Sequence, residues 1–208
     1  MKLIDMEVKT YLDVLKSDAP APGGGSVSAL AAAEGVGLFM MVADLTMGKE
    51  KYADFEEVCK NAKAKGMPLY EELVAAIDKD TDAFNLIADA FKMPKETEED
   101  KAARRKAIAD GTLVATEVPF RTMQLGYEGL KLAETMIGKS NPNAASDLGV
   151  AVLNLVAGIK GAWLNVKINL PGVKDEAKAA YFTAEGEKMY KEADEMGPKL
   201  YAKVLETL

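Results

Sequence analysis

The chain of 208 residues is long enough to bury a substantial core, and we expect a single domain over residues 1–208. Its composition, 49% hydrophobic and 28% charged, is that of an ordinary globular protein and excludes a disordered or collagen-like chain. The net charge of -7 argues against a nucleic-acid-binding surface, which needs clustered Lys and Arg.

The chain contains no histidine and one cysteine, Cys59. These counts exclude catalytic triads with a histidine base, zinc sites with histidine ligands and cysteine-rich metal sites. We therefore expect no metal, and any proton transfer must use carboxylates, lysines, tyrosines or water. A lone cysteine forms no internal disulfide, so Cys59 is interpreted as a core residue of a cytoplasmic protein.

The amino terminus, "MKLIDMEVKTYLDVL", lacks the apolar core and the cleavage site of a secretory signal. The most apolar segment, residues 27–42, is divided by Glu34. Its uncharged parts are shorter than the roughly 18 residues needed to cross a bilayer. We predict no membrane-spanning helix.

Apolar residues recur at spacings of three and four along nearly the whole chain, and alternating β-branched runs are hard to find. We predict an all-α fold, a bundle of about six to eight helices, some of them long and kinked. The first helix should place Ile4, Val8, Tyr11, Leu12 and Leu15 on one face. The predicted helices cover residues 4–16, 26–47, 50–91, 97–137, 146–170 and 175–208.

Short polar residues, proline and glycine mark where these helices begin, end and bend. Ser26 is predicted to cap the second helix. Thr97 and Asp100 resemble a capping box, although Glu or Gln is preferred at the second position. Pro20 and Pro22 should end the first helix, and Pro171 and Gly172 the fifth. Gly66 and Pro68 should kink or split the third helix. Pro119 should bend the fourth helix, and Gly197 and Pro198 should weaken the last.

The segment "PAPGGGSVSALAAA" places three glycines directly before a helix. Exposed N–H groups at a helix start, approachable because glycine lacks a side chain, can bind an anion or a carbonyl oxygen. The segment matches neither a P-loop nor a dinucleotide-binding motif. The alternative is a purely structural role, a tight turn before a helix that packs closely through small residues. Judged from the residues of the loop alone, this structural role is favoured over ligand binding.

Two charged segments are further candidates. In "LTMGKEKY", Lys49 follows a predicted helix end at Gly48, where a lysine usually just complements the helix dipole. In "IDKDTDAF", Asp78 and Asp82 share a helix face and Asp80 lies apart. A solvated face is the simpler interpretation of these aspartates, and the segment lacks the glycine and the closing glutamate of a calcium loop.

The segment "SDLGVAVLNLVAGIKGAWLNVKINL" mixes small and amide residues on one helical stripe. Buried asparagines there need hydrogen-bond partners. The stripe therefore predicts either helix–helix contacts or the polar edge of a ligand site, through Asp147, Ala151, Asn154, Gly158, Ala162, Asn165 and Asn169.

Together these segments resemble the cyclodeaminase domain of formiminotransferase-cyclodeaminase and its free-standing bacterial relatives, which include methenyltetrahydrofolate cyclohydrolases. The resemblance covers nearly the whole chain and rests on "PAPGGGSVSALAAA", "LTMGKEKY", "DKDTDAF", "KMPKETEEDKAAR", "SNPNAASDLGVAV" and "NVKINL". It implies an all-helical homodimer acting on a one-carbon derivative of tetrahydrofolate as substrate. The formimino-transferring domain is missing, so transferase activity is not carried over.

The resemblance also implies roles for particular residues. Asp80 is the closest match to the family's catalytic aspartate, although the sequence alone does not separate it from its neighbour Asp78. Asp147 is an alternative acid–base group, and Lys49 is the basic residue of the site. The substrate-binding residues that it implies are Gly23, Gly24, Gly25, Ser26, Asp78, Ser146 and Asn165.

Two reactions fit the resemblance. A cyclohydrolase adds water to the methenyl carbon, and a cyclodeaminase closes the ring with release of ammonia. The absence of a transferase domain favours the cyclohydrolase. The alternative from another class is a non-catalytic helical module that binds folate or only dimerises.

Overall fold

The computed structural model describes residues 2–208, which form six α-helices joined by short 3-10 turns and contain no strand. The all-α prediction is therefore confirmed. The helices are α1 Val8–Leu15, α2 Gly24–Asp44, α3 Glu56–Lys92, α4 Glu98–Met136, α5 Ala145–Asn169 and α6 Glu176–Leu205.

The centre of the bundle is the antiparallel pair α2 and α5, which pack at very short distance because glycines face the neighbouring backbone. A Cβ at Gly35 would lie 2.9 Å from the carbonyl oxygen of Ala151. A Cβ at Gly158 would lie 2.8 Å from the carbonyl oxygen of Ser28. The spacing of small residues along α2 and α5 therefore brings their backbones together.

Helices α3, α4 and α6 surround this pair. Phe39, Leu73, Met123, Leu130 and Leu155 are fully buried where the helices meet. Each such side chain stabilises the fold by about 1.5–3 kcal/mol through the removal of apolar surface from water. Cys59 is buried in the same core, as predicted.

The predicted first helix is wrong in its extent. The chain is extended at Met6 and Glu7, so a 3-10 turn at Leu3–Asp5 is separated from α1. This break interrupts the helical spacing on which the prediction rested. Tyr11 is buried, but Ile4, Val8 and Leu12 are 42%, 77% and 53% exposed.

Ser26 is not the cap of α2, because the helix begins two residues earlier with Gly23 as its N-cap. The N–H of Ser26 instead donates to Asp80 of α3. The predicted capping box of α4 is complete, since Thr97 and Asp100 exchange both hydrogen bonds although the second residue is aspartate.

Helices α3, α4 and α6 continue without interruption through their prolines, so the predicted splitting of the third helix is wrong. At Pro68 of α3 and Pro198 of α6, close packing of a neighbouring glycine offsets the local cost of the proline. Gly66 beside Pro68 packs on Phe39, and Gly197 beside Pro198 packs on Val156. These contacts hold the helices together where the local sequence disfavours them.

Helix α2 and the segment Pro142–Gly172 around α5 are long and apolar enough to cross a membrane by length and composition. They are also the central pair of the bundle, and at least half of each apolar stretch is buried against the other helices. Core helices pass the same length and composition test as membrane spans. That the chain crosses no membrane stays a prediction.

We expect Gly35→Ala to lower the free energy of unfolding by about 1–3 kcal/mol, because the new methyl overlaps the α5 backbone. Gly37→Ala is the matched control in the same helix. A Cβ there lies 3.7 Å from Tyr70 and meets no backbone, so the higher helix propensity of alanine should leave stability unchanged or raised. Urea unfolding measures both, and equal effects at the two positions would contradict the packing account.

Candidate active site at the amino end of helix α2

A cavity of about 260 Å³ lies where the amino end of α2 meets α3, α4 and the carboxyl end of α5. Polar and apolar side chains share its wall. The polar groups come from α3 and α5, and the backbone of the glycine turn completes that side. The residues that line the cavity include Gly23, Gly24, Asp80, Thr81, Ala115, Asn165 and Asn169.

Asp80 reaches from α3 to the amino end of α2 and takes the place of a local cap. Its Oδ2 accepts the N–H of Ser26 at 2.9 Å, while the Ser26 hydroxyl donates to the carbonyl oxygen of Ile77 at 2.7 Å. A Cβ at Gly25 would overlap the Asp80 carboxylate. Glycine is therefore needed at residue 25 because this carboxylate packs directly on the backbone.

Burial raises the pKa of Asp80 above its usual value, and the hydrogen bonds from Ser26 offset only part of this effect. Among residues 2–208, no lysine or arginine forms an ion pair with this carboxylate. A carboxyl group of raised proton affinity that lines a cavity is suited to act as a general acid and base.

The glycine turn also offers hydrogen-bond donors. Within residues 2–208 the N–H groups of Gly24 and Gly25 have no acceptor, since Asp80 occupies only the next N–H along the helix. Free N–H groups at a helix start favour a ligand oxygen. The wall of the cavity therefore combines the backbone of Gly24 with the Asp80 carboxylate, and the N–H of Gly25 lies next along the helix.

Two asparagines of α5 complete the polar wall. Asn165 lies against Gly24, and its Nδ2 donates to the carbonyl oxygen of Gly161 at 2.9 Å. The Nδ2 of Asn169 donates to the carbonyl oxygens of Ala115 at 2.8 Å and of Asn165 at 3.0 Å. The predicted site residues Gly23, Gly24, Gly25, Ser26, Asp80 and Asn165 are thus brought together.

Asp78 lies outside the cavity wall. Its Oδ1 accepts the N–H of Leu3 at 2.6 Å, so it fastens the amino-terminal segment to α3. Of the two aspartates between which the sequence did not choose, Asp80 is the one that faces the cavity.

Lys49, Ser146 and Asp147 lie at the other end of the bundle within one chain, away from the cavity, so their place in the site stays a prediction. Asp147 is in the first turn of α5, about 27 Å from Asn165 along the helix at 1.5 Å per residue. Lys49 follows α2 and donates to the carbonyl oxygen of Leu45 at 2.7 Å. It therefore satisfies the end of α2, the alternative interpretation made from sequence.

Thr81 was not predicted as a site residue, and Asn169 was predicted only as a member of the stripe on α5, with helix–helix contact or a ligand site as the alternatives. Thr81 follows Asp80 directly, and its hydroxyl is 3.3 Å from that of Ser26. No feature of the sequence around Asn169 indicates that its side chain contacts Ala115 of α4. The part of the chain that the structure describes brings no three His, Cys, Asp or Glu side chains together as metal ligands.

Comparison with known proteins places this geometry in a family. The formiminotransferase-cyclodeaminase family model matches residues 7–188, which include every residue of the cavity wall. The chain belongs to the formiminotransferase-cyclodeaminase family. The resemblance seen in the sequence is thereby confirmed.

Relatives of the chain differ in length. It is 39% identical over 197 residues to a methenyltetrahydrofolate cyclohydrolase of Methylorubrum extorquens, and the match covers 95% of each chain. It is 33% identical over 175 residues to the formimidoyltransferase-cyclodeaminase of Gallus gallus, covering 84% of this chain. The match spans 32% of that longer protein.

The fold recurs in a solved structure, a formiminotetrahydrofolate cyclodeaminase of Thermotoga maritima. The TM-score is 0.79 with 24% sequence identity, and the match covers 98% of this chain and 96% of the other. At this identity the likeness concerns the fold.

Proposed function

We propose that the protein is a methenyltetrahydrofolate cyclohydrolase, and we propose a cytoplasmic location for it. The observation that carries the proposal is the Asp80 carboxylate, held with a raised pKa against the glycine turn in a cavity. The full-length match to a cyclohydrolase supports this reaction. No metal is invoked, since the proton transfers below use a carboxylate alone.

In the proposed reaction, water attacks the carbon that bridges N5 and N10 in the methenyl cation, and a C–O bond forms. The Asp80 carboxylate takes a proton from this water. The tetrahedral carbon then loses its hydroxyl proton to form the C=O, the bond from carbon to N5 breaks, and N5 takes the proton back from Asp80. One proton is released to solvent, and 10-formyltetrahydrofolate is the product. The Asp80 charge also stabilises the cation before attack.

Cyclodeamination of formiminotetrahydrofolate is the second candidate reaction, supported by the match to the cyclodeaminase part of longer relatives. There N10 attacks the formimino carbon on N5 and gives up its proton to the Asp80 carboxylate. The amino group on that carbon takes protons from Asp80 and from solvent, its bond to the carbon breaks, and it leaves as ammonia. Both reactions pass through a tetrahedral carbon between the same two nitrogens, so one carboxylate serves both.

Absorbance distinguishes these functions with purified protein. Accelerated loss of the methenyl chromophore supports the cyclohydrolase, and its appearance from the formimino substrate supports the cyclodeaminase. No change with either substrate would favour the non-catalytic folate-binding or dimerisation module instead.

We expect Asp80→Asn to lower kcat at least about a hundredfold, because asparagine cannot accept and return a proton. The amide oxygen can still accept the N–H of Ser26, so the fold should persist. Asp82→Asn is the matched control, an exposed aspartate of the same helix, and its kcat should stay within about threefold of the wild type.

Near-normal turnover in Asp80→Asn would remove this residue from the mechanism. Because Asp147 lies far from the cavity within one chain, we assign the proton transfer to Asp80 alone. An equally large loss in Asp147→Asn would mean that a second subunit brings that residue to the site.

We also propose that the protein is a homodimer that associates through one side of α2 and α5. Large apolar side chains recur there at spacings of three and four and remain exposed in the single chain. Burial of such a face against a second copy would stabilise the dimer through the hydrophobic effect. The exposed residues on this face are Val27 and Met41 of α2, Leu45 at the C-cap of α2, and Val150, Leu153, Leu164 and Ile168 of α5.

Leu153→Glu should convert the dimer to a monomer, because it places a charge within the buried face. Leu86→Glu is the control, since Leu86 of α3 is 52% exposed against 50% for Leu153 and lies outside this face. Light scattering after size-exclusion chromatography measures the mass. A wild-type monomer at micromolar concentration, or a dimer that survives Leu153→Glu, contradicts the proposed interface.

A further inference from the structure

A proline in the middle of α4 leaves one backbone carbonyl without its usual partner. Pro119 has no N–H, so the carbonyl oxygen of Ala115 loses the hydrogen bond that residue 119 would donate within the helix. The Nδ2 of Asn169 donates to this oxygen from the end of α5, at 2.8 Å. The hydrogen bond lost at Pro119 is thus replaced across the two helices.

This replacement fixes the orientation of the Asn169 amide. Its Nδ2 carries two hydrogens, and both are bound, one to Ala115 and one to the carbonyl oxygen of Asn165 at 3.0 Å. A flipped amide would place Oδ1 against two carbonyl oxygens, which repel it. The side chain is partly exposed on the cavity wall, and its Oδ1 accepts no hydrogen bond from residues 2–208.

Asn165 is held in a similar way, because its Nδ2 donates to the carbonyl oxygen of Gly161. The α5 side of the cavity therefore offers the carbonyl oxygens of two asparagine amides as acceptors. A ligand that contacts these oxygens directly binds best if it supplies hydrogen-bond donors, such as N–H groups. The glycine turn on the adjoining side, with the free N–H groups of Gly24 and Gly25, suits a ligand oxygen instead.

A reduced pterin has N–H donors that match this wall. When the one-carbon unit occupies N5 and N10, the remaining ring donors are the 2-amino group, N3–H and N8–H, all away from the bridging carbon. The 2-amino group alone carries two N–H bonds and can serve two acceptors.

We infer that Asn169 determines pterin specificity, its Oδ1 accepting a hydrogen bond from the 2-amino group while Pro119 fixes the amide. The inference rests on the proposed folate function. It assigns to Asn169 a role in ligand recognition in addition to its bond to α4. Asn165 shares the same amino group through its own Oδ1.

The test compares the binding of tetrahydrofolate with that of its analogue carrying methyl in place of the 2-amino group, by calorimetry. The wild type should bind tetrahydrofolate at least about tenfold more tightly, because the analogue would cover the two amide oxygens without donating a hydrogen bond to them. Asn169→Leu, which keeps the side-chain size, should reduce this preference to about threefold or less. Asn143→Leu, at an exposed position at the opposite end of α5, is the control and should keep it.

Pro119→Ala separates the structural role of Asn169 from recognition. The new N–H can bond to the carbonyl oxygen of Ala115, so the double variant Pro119→Ala/Asn169→Leu should regain the Tm that Asn169→Leu loses. Its preference between the two ligands should stay low, because the Oδ1 acceptor is still missing.

The outcomes distinguish this inference from the proposed function. Tetrahydrofolate binding with an unchanged preference in Asn169→Leu would overturn the role of Asn169 and leave the proposed function standing. A double variant that recovers both the Tm and the preference would show that Asn169 acts through the fold alone. Failure of the wild type to bind tetrahydrofolate would contradict both proposals.

Discussion

The contact between the Asp80 carboxylate and the amino end of α2 is the interaction on which the rest of the site depends. It satisfies one free N–H of the helix, draws the middle of α3 onto the glycine turn and removes the carboxylate from water. Each effect requires the others, because a Cβ at Gly25 would push the carboxylate away and a solvated carboxylate would lose its raised proton affinity. One contact therefore links the helix start to the chemistry.

The tight packing of α2 on α5 determines what surrounds this carboxylate. Glycines along both helices let the backbones approach, and the antiparallel direction brings the end of α5 to the start of α2. Asn165 and Asn169 then face the cavity, and the carbonyl oxygen freed by Pro119 holds Asn169 in place. The same geometry carries Lys49 and Asp147 to the opposite end. Small residues that stabilise the core therefore also determine the composition of the site.

Most of the fold was predictable because its helices are long and their apolar spacing is regular. The first helix was not, since an extended pair at Met6 and Glu7 interrupts the spacing without a proline or glycine to mark it. Of the kink or split predicted at Pro68, the split does not occur. Helix propensity describes a local preference, and the packing of Gly66 on Phe39 outweighs it.

The site was predictable only where the chain places its residues close together or where a family pattern marks them. The glycine turn and Asp80 met that condition, but the sequence did not separate Asp80 from Asp78, because only the fold shows which of them faces α2. Asn169 and Ala115 are 54 residues apart, and their bond exists because two helices cross at a proline. Interactions of this kind follow from tertiary packing and leave no local signal.

The pH dependence of kcat/KM for methenyltetrahydrofolate hydrolysis tests the central claim most directly. As the pH rises, the wild-type value should increase through a pKa above the roughly 3.9 of a free aspartate, since burial favours the protonated form of Asp80. The residual activity of Asp80→Asn should lack this transition. A transition that persists in Asp80→Asn, or a wild-type transition at or below the free value, would contradict the account.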